Sequence, residues 1–172
     1  TGEVLAMVGS RNYFDPKGGN FNVTLASRQP GSAIKPINYA HALENGLTPA
    51  SIIDDSPISY DIPGQLPYSP KNYDNQFRGK VPLRTALGSS LNVPAVKVLA
   101  SYGVHKMIDQ GKKMGITTWN EPSRFGLSLT LGGGEVKMTD LAVAYGSLAN
   151  YGHKVPLNPI LRVKNNQGKT LE

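Results

Sequence analysis

Thirteen prolines set the tightest limits on how this chain folds, because each fixes φ and removes a backbone donor. Five of them, Pro49, Pro57, Pro63, Pro67 and Pro70, crowd residues 46–80, where periodic apolar positions are few. That stretch reads as an ordered surface excursion or linker, and loops of such length tend to carry function. Three other prolines mark helix starts, since a missing N–H is tolerated in the first turn, where it would have no intrahelical partner. Pro36 places one helix over residues 32–45, closed by Gly46. Pro82 and Pro94, each as a first helical residue, predict short helices at 82–89 and 94–101.

Periodicity and turn chemistry fill in the remainder. VHKMIDQGKKMG predicts a helix that ends at Gly115. Thr139 as an N-cap predicts another running to Tyr151, with Leu141, Ala142, Tyr145, Leu148 and Ala149 on its inner face. Near the start, the apolar run at 4–8 suits a strand buried on both faces, and FNVTLAS at 21–27 alternates Phe21, Val23 and Leu25 on one face. With the turn-rich RNYFDPKGGN between them, the first 27 residues read as a β-hairpin with a long loop. ILRVKNNQGKTLE reads as a second hairpin around 165–168. The order is strands, many helices, strands.

A length of 172 residues suits one domain. Hydrophobic residues at 39 % and charged residues at 17 % argue for a folded chain rather than a disordered one. The net charge of +6 suits an anionic partner. The basic residues are scattered, however, and no strand interleaves them with aromatics, so a nucleic-acid partner is not expected. Absence of cysteine excludes a disulfide scaffold and a thiolate metal site. No apolar run approaches the ~18 residues of a membrane span, and no signal peptide opens the chain. Opening at Thr1 inside a strand pattern predicts a piece excised from something longer.

Chemistry concentrates in RQPGSAIKPINYAH, residues 28–41. Pro36 fixes the helix mouth at Ser32, whose hydroxyl faces free N–H groups and the positive end of the helix dipole. Negative charge on an attacking oxygen, or on the oxyanion after attack, is favoured there. Lys35, at i+3, projects from the same face. A lysine whose pKa is lowered by burial can take the serine proton, which permits nucleophilic catalysis without histidine. The same spacing also fits a serine cap followed by a solvated lysine. A second polar pair, Ser90 and Asn92 in SSLNVPAV, precedes Pro94. Its hydroxyl can pass a proton and its carboxamide can hold a substrate amide; either residue also suits an ordinary helix cap.

Together, RQPGSAIKP, NYDNQFRGKVPLRTALGSSLNVPAV and LTLGGGEVKMTDLAVAYGSLANYG resemble the transpeptidase domain of class A, bifunctional penicillin-binding proteins. TGEVLAMVGSRNY is similar to that domain's first strands, so the resemblance covers nearly the whole chain. It implies an α+β, β-lactamase/transpeptidase-like fold: a helical subdomain with a small antiparallel sheet and Ser32 in the cleft between them. It also implies that Ser32 is the acylated nucleophile, Lys35 its general base, Ser90 the proton shuttle and Asn92 the residue that binds the substrate amide. In the family a stem-peptide D-alanyl-D-alanine amide is attacked, D-alanine leaves, and the acyl group passes to an amine of a neighbouring stem peptide. That step cross-links peptidoglycan, and β-lactams acylate the same serine.

The resemblance has a gap. The family's K-[TS]-G motif on a later strand is absent, since Lys169-Thr170 is followed by Leu171. Residues 1–172 are therefore expected to form a single, truncated transpeptidase domain whose C-terminal strands are missing and whose turnover alone is low. Residues beyond 172 or a second chain would complete it. The expected partners are peptidoglycan stem peptides and β-lactam antibiotics, with no cofactor and no metal. The expected setting is extracytoplasmic, in the periplasm or on the outer face of the cytoplasmic membrane, anchored through the parent protein. Rival functions are a D,D-carboxypeptidase, a β-lactamase, or a catalytically silent peptidoglycan-binding module.

Other signals carry less. GKT at 168–170 lacks the P-loop glycine at Val163. His41, His105 and His153 lack metal spacing and read as surface or capping residues. Gly132-Gly133-Gly134 reads as a tight turn or an anion-binding nest. Trp119, Tyr68 and Tyr73 suit either a substrate groove or packing.

Overall fold

The computed structural model describes residues 1–64 and 66–171. A 3-10 turn over Gly31–Ile34 runs straight into α1, Lys35–Glu44, with Pro36 in the first turn and the left-handed Gly46 just beyond the end. The proline-rich excursion is not all loop, since it is bracketed by β1, Ile52–Asp55, and β2, Gly79–Pro82. These pair antiparallel from Ile52 opposite Pro82 to Asp55 opposite Gly79. Four-residue strands reading IIDD and GKVP show too little alternation to be recognised locally. α2, Leu83–Gly88, follows at once. Pro82 remains extended, at φ −63° and ψ 148°, rather than opening the helix, because it still belongs to the ladder. The first free N–H groups of α2 instead reach carbonyls of the loop that precedes β1, Leu83 to Ser51 at 2.8 Å and Arg84 to Pro49 at 3.0 Å.

α3, Asn92–Tyr102, starts two residues before Pro94, which still lies in the first turn. Left-handed Gly103 turns the chain into α4, Val104–Met114. That helix ends at the expected glycine: Gly115 has φ 114°, and the N–H groups of Gly115 and Ile116 both return to the Gly111 carbonyl. After two further 3-10 turns, Pro122–Arg124 and Leu127–Leu131, comes α5, Met138–Ala149.

Two apolar clusters share α1. Ile34 and Ile37 pack with Leu99, Met107, Ile108, Trp119 and Leu129, while Tyr39 and Ala42 pack with Ile53, Val81, Leu83 and Ala95. Trp119 is fully buried, so it packs rather than lining a groove, whereas Tyr73 is wholly exposed. The inward face of α5 is rotated from the expected one. It buries Asp140, Ala144 and Ser147, leaving Tyr145 and Leu148 about half exposed. Asp140 is turned inward by bonds from the Thr117 N–H at 2.8 Å and hydroxyl at 2.6 Å. The helix begins at Met138 rather than being capped by Thr139.

The expected N-terminal hairpin does not form as a ladder. One backbone bond, Val23 N–H to Gly9 O at 2.9 Å, links its two arms. The Asn22 side chain accepts from the Thr24 N–H at 3.0 Å and hydroxyl at 2.6 Å and folds the second arm into turns. The first arm instead bridges Glu3 to Asn158, and Leu5 and Val8 stay exposed rather than buried on two faces. The C-terminal turn matches expectation, with Gly168 N–H on Asn165 O and a bridge from Lys164 to Thr170.

Candidate active site

Three of the four predicted residues touch. Lys35, the first residue of α1, is 1 % exposed. Its Nζ donates to the Ser90 carbonyl at 2.6 Å, the Ser90 hydroxyl at 3.1 Å and Asn92 Oδ1 at 2.7 Å. An ammonium has three protons, and each finds an acceptor. Burial lowers the Lys35 pKa from 10.5 to about 8, so a neutral amine is within reach near physiological pH. Lys35 is therefore not a solvated first-turn residue.

Ser90 lies between α2 and α3 with φ 51°, a left-handed conformation that a serine rarely adopts. The surroundings hold it there. Its N–H bonds Leu87 O at 3.0 Å, while its carbonyl and its hydroxyl both accept from Lys35. Asn92 has a settled amide orientation, with Oδ1 on Lys35 and Nδ2 donating to the Lys71 carbonyl at 2.9 Å. Neither side chain caps its own helix.

Ser32 is exposed in the 3-10 turn one turn before Lys35, whose backbone N–H bonds the Ser32 carbonyl. Among the described residues no hydrogen bond joins Ser32 Oγ to Lys35, Ser90 or Asn92. The turn is braced from behind: the Tyr145 hydroxyl of α5 donates to Ala33 O at 2.9 Å, and Arg28 and Val136 exchange two backbone bonds of 2.9 Å. The glycine run serves as a turn. Gly132, at φ 94°, ends the 3-10 turn Leu127–Leu131 and lies against the backbone of Gly31. Sequence reasoning missed two supports of the site, Tyr145 as a brace and Asn72, which bonds the start of α3. No local pattern marks Asn72, because its main partners lie 17, 20 and 21 residues away. Among the described residues no group of three or more His, Cys, Asp or Glu could hold a metal ion. No described helix is long and apolar enough to cross a membrane.

Helices over a small antiparallel sheet, with a lysine, serine and asparagine meeting behind an exposed serine, make an incomplete α+β fold of the kind penicillin-binding transpeptidase domains have. Residues 1–170 match the penicillin binding protein transpeptidase domain, and the chain belongs to that family. It is 38% identical to penicillin-binding protein 1A of Rickettsia felis over 172 residues, which is 99% of this chain and 21% of that protein. Penicillin-binding protein 1A of Pseudomonas aeruginosa is 37% identical over 99% of this chain and 20% of its own. Among solved structures, penicillin-binding protein 1A of Haemophilus influenzae superposes with a TM-score of 0.81 at 33% identity, covering 89% of this chain and 23% of that one. The chain thus spans about a fifth of the length of these relatives.

Proposed function

We propose that this chain carries the acylation centre of a serine D,D-transpeptidase that cross-links peptidoglycan stem peptides. Ser32 is the nucleophile and Lys35, as the neutral amine, its base. The Ser32 oxygen attacks the penultimate D-alanyl carbonyl of a D-alanyl-D-alanine terminus while its proton passes to Lys35 Nζ. Ser90 relays that proton to the leaving amine, the C–N bond breaks, D-alanine departs, and Ser32 is left as an ester. An amine of a second stem peptide then attacks the ester, forming the cross-link and freeing the serine. Asn92 binds the substrate amide, and a β-lactam enters by the same acylation. The chemistry uses protein side chains and no cofactor. It takes place in the periplasm or on the outer face of the cytoplasmic membrane, with the full-length protein anchored there and residues outside this chain completing the cleft.

The observation that carries the reading is the buried Lys35, lowered to about 8 and held by Ser90 and Asn92. Incubating the full-length protein with benzylpenicillin and mapping the adduct by mass spectrometry tests it. The expected result is one penicilloyl group on Ser32 that Ser32→Ala abolishes. A folded protein that binds peptidoglycan, forms no adduct and keeps its affinity in Ser32→Ala is a silent module and refutes the reading. Trapping the acyl group with an added D-amino acid separates a transpeptidase from a D,D-carboxypeptidase or β-lactamase, which deliver it to water.

A further inference from the structure

The hydrogen-bond chain from Lys35 continues past Asn92 into the proline-rich excursion. Asn72 is 3 % exposed there. Its side-chain oxygen accepts from the backbone N–H groups of Asn92 at 2.8 Å and Val93 at 3.2 Å, the first two residues of α3. Its amide nitrogen donates to both carboxyl oxygens of Asp55, at 2.8 and 3.0 Å, and to the Gln76 carbonyl at 2.8 Å. Backbone N–H groups only donate and carbonyls only accept, so this amide has a single orientation. Asp55 is fully buried, ends β1 opposite Gly79 of β2, and accepts from the Arg78 N–H at 3.0 Å.

A helix start usually finds its acceptor in its own N-cap side chain. α3 has Leu91 there, with no side-chain cap. The capping is delegated to a residue 20 positions away that is itself fastened to the sheet. The adjacent Lys71 carbonyl holds the Asn92 side chain at 2.9 Å. Residues 71 and 72 thus fix the backbone and the side chain of Asn92 together, and Ser90 lies only two residues upstream.

We propose that Asn72 is a positioning residue for acyl transfer: by fastening the first turn of α3 to Asp55, it sets where Asn92 Oδ1 and Ser90 meet Lys35 Nζ. The inference rests on the acyl-transfer reading and is separable from it by experiment. Stopped-flow acylation of the full-length protein by a fluorescent penicillin, followed across pH, is the assay. Asn72→Ala removes both halves of the link. Asn72→Asp keeps an acceptor for the helix but faces Asp55 with a second carboxyl group. Each should slow acylation by roughly tenfold or more, given how steeply rate falls with misplacement, and displace its pH midpoint. The exchange N72D/D55N restores a donor facing an acceptor between the two residues with the polarity reversed, while a carboxylate at 72 still loses the Gln76 carbonyl as a partner, and should recover part of the rate and bring the midpoint back toward wild type. Lys97→Met, which frees Asp54 on the same strand, should change neither.

Wild-type rate and midpoint in the Asn72 variants, with labelling lost in Ser32→Ala, would overturn the positioning role alone. Labelling that survives Ser32→Ala would overturn the acyl-transfer reading and this inference with it. If the single variants do not fold, recovery in the exchange still supports the role. An exchange that does not fold, or folds and stays slow, overturns it.

Discussion

A Cβ placed on Gly132 would lie 2.3 Å from the nitrogen of Gly31, 2.5 Å from its Cα and 2.7 Å from its oxygen. All three are backbone atoms, which cannot swing aside as a side-chain tip can. Reaching ordinary van der Waals separation requires the two segments to part by roughly 1 Å. Gly31 opens the turn that carries Ser32, so the displacement passes to the nucleophile, and a misplacement of ~1 Å is expected to slow acylation about 100-fold. The φ of 94° at Gly132 adds a penalty for any L-residue of about 1–2 kcal/mol, which lowers the melting temperature by roughly 2–8 °C. The matched control is Gly146→Ala in α5, where the added Cβ meets nothing within 4 Å. Alanine in that helix should stabilise by about 0.5–1 kcal/mol and leave acylation unchanged. Time courses of fluorescent-penicillin labelling and thermal melts of the two full-length variants give both quantities. If Gly132→Ala labels at the wild-type rate, or Gly146→Ala slows labelling equally, the Gly31–Gly132 contact does not set the position of Ser32.

Two further perturbations test the lysine and the second serine. If neutral Lys35 is the base, the acylation rate should climb about tenfold per pH unit and level off near the Lys35 pKa of about 8, while Lys35→Arg stays inactive at every pH, because guanidinium holds its proton. Stability follows the same group. Its folded pKa lies below its unfolded value of 10.5, so the penalty for burying the ammonium is complete below about pH 8 and is relieved as pH rises from 8 toward 10.5. The melting-temperature difference between Lys35→Met and wild type should shift in favour of wild type across that window; a constant difference contradicts the lowered pKa. Ser90→Ala and Ser90→Gly both delete the hydroxyl and should label equally slowly, yet glycine relieves the left-handed backbone, so it should be the more stable by about 1–2 kcal/mol. Equal melts for the two would refute strain at residue 90.

The features legible in the sequence are those written within one turn of chain. Pro36 and Gly46 bracket α1, Gly115 ends α4, and the Ser32–Lys35 spacing survives because the 3-10 turn and α1 are continuous. What was illegible depends on distant partners. β1 and β2 pair across the whole proline-rich excursion, so neither looks like a strand by itself. Asp140 and Ser147 are not among the inward residues that apolarity predicts for α5, yet both are buried, because Thr117 hydrogen-bonds the one and the other returns its hydroxyl to Ala144 O at 2.7 Å. Hydrophobic periodicity assigns faces by apolarity alone, so satisfied polar groups rotate the true inward face away from the predicted one. Asn22 defeated the N-terminal hairpin the same way, through a side-chain bond that competes with the ladder.

The contacts of Lys35 also bear on why a hydroxyl stands at position 90. As an ammonium, Nζ donates three times, to a carbonyl, an amide oxygen and a hydroxyl. As a neutral amine it has two donors and a lone pair, so one of those acceptors must become a donor or lose its partner. The Ser90 carbonyl has no proton to give, and Asn92 cannot turn over, because its nitrogen is committed to the Lys71 carbonyl. Only the Ser90 hydroxyl can rotate and donate back. Under the acyl-transfer reading, Ser90 is therefore the one of these three acceptors that can pair with both protonation states of the base, and its hydroxyl swings off the lone pair when Ser32 delivers its proton there. A carboxylate in its place would hold the ammonium as well and, having no proton to give, would strand the amine, which is the form that must accept the serine proton.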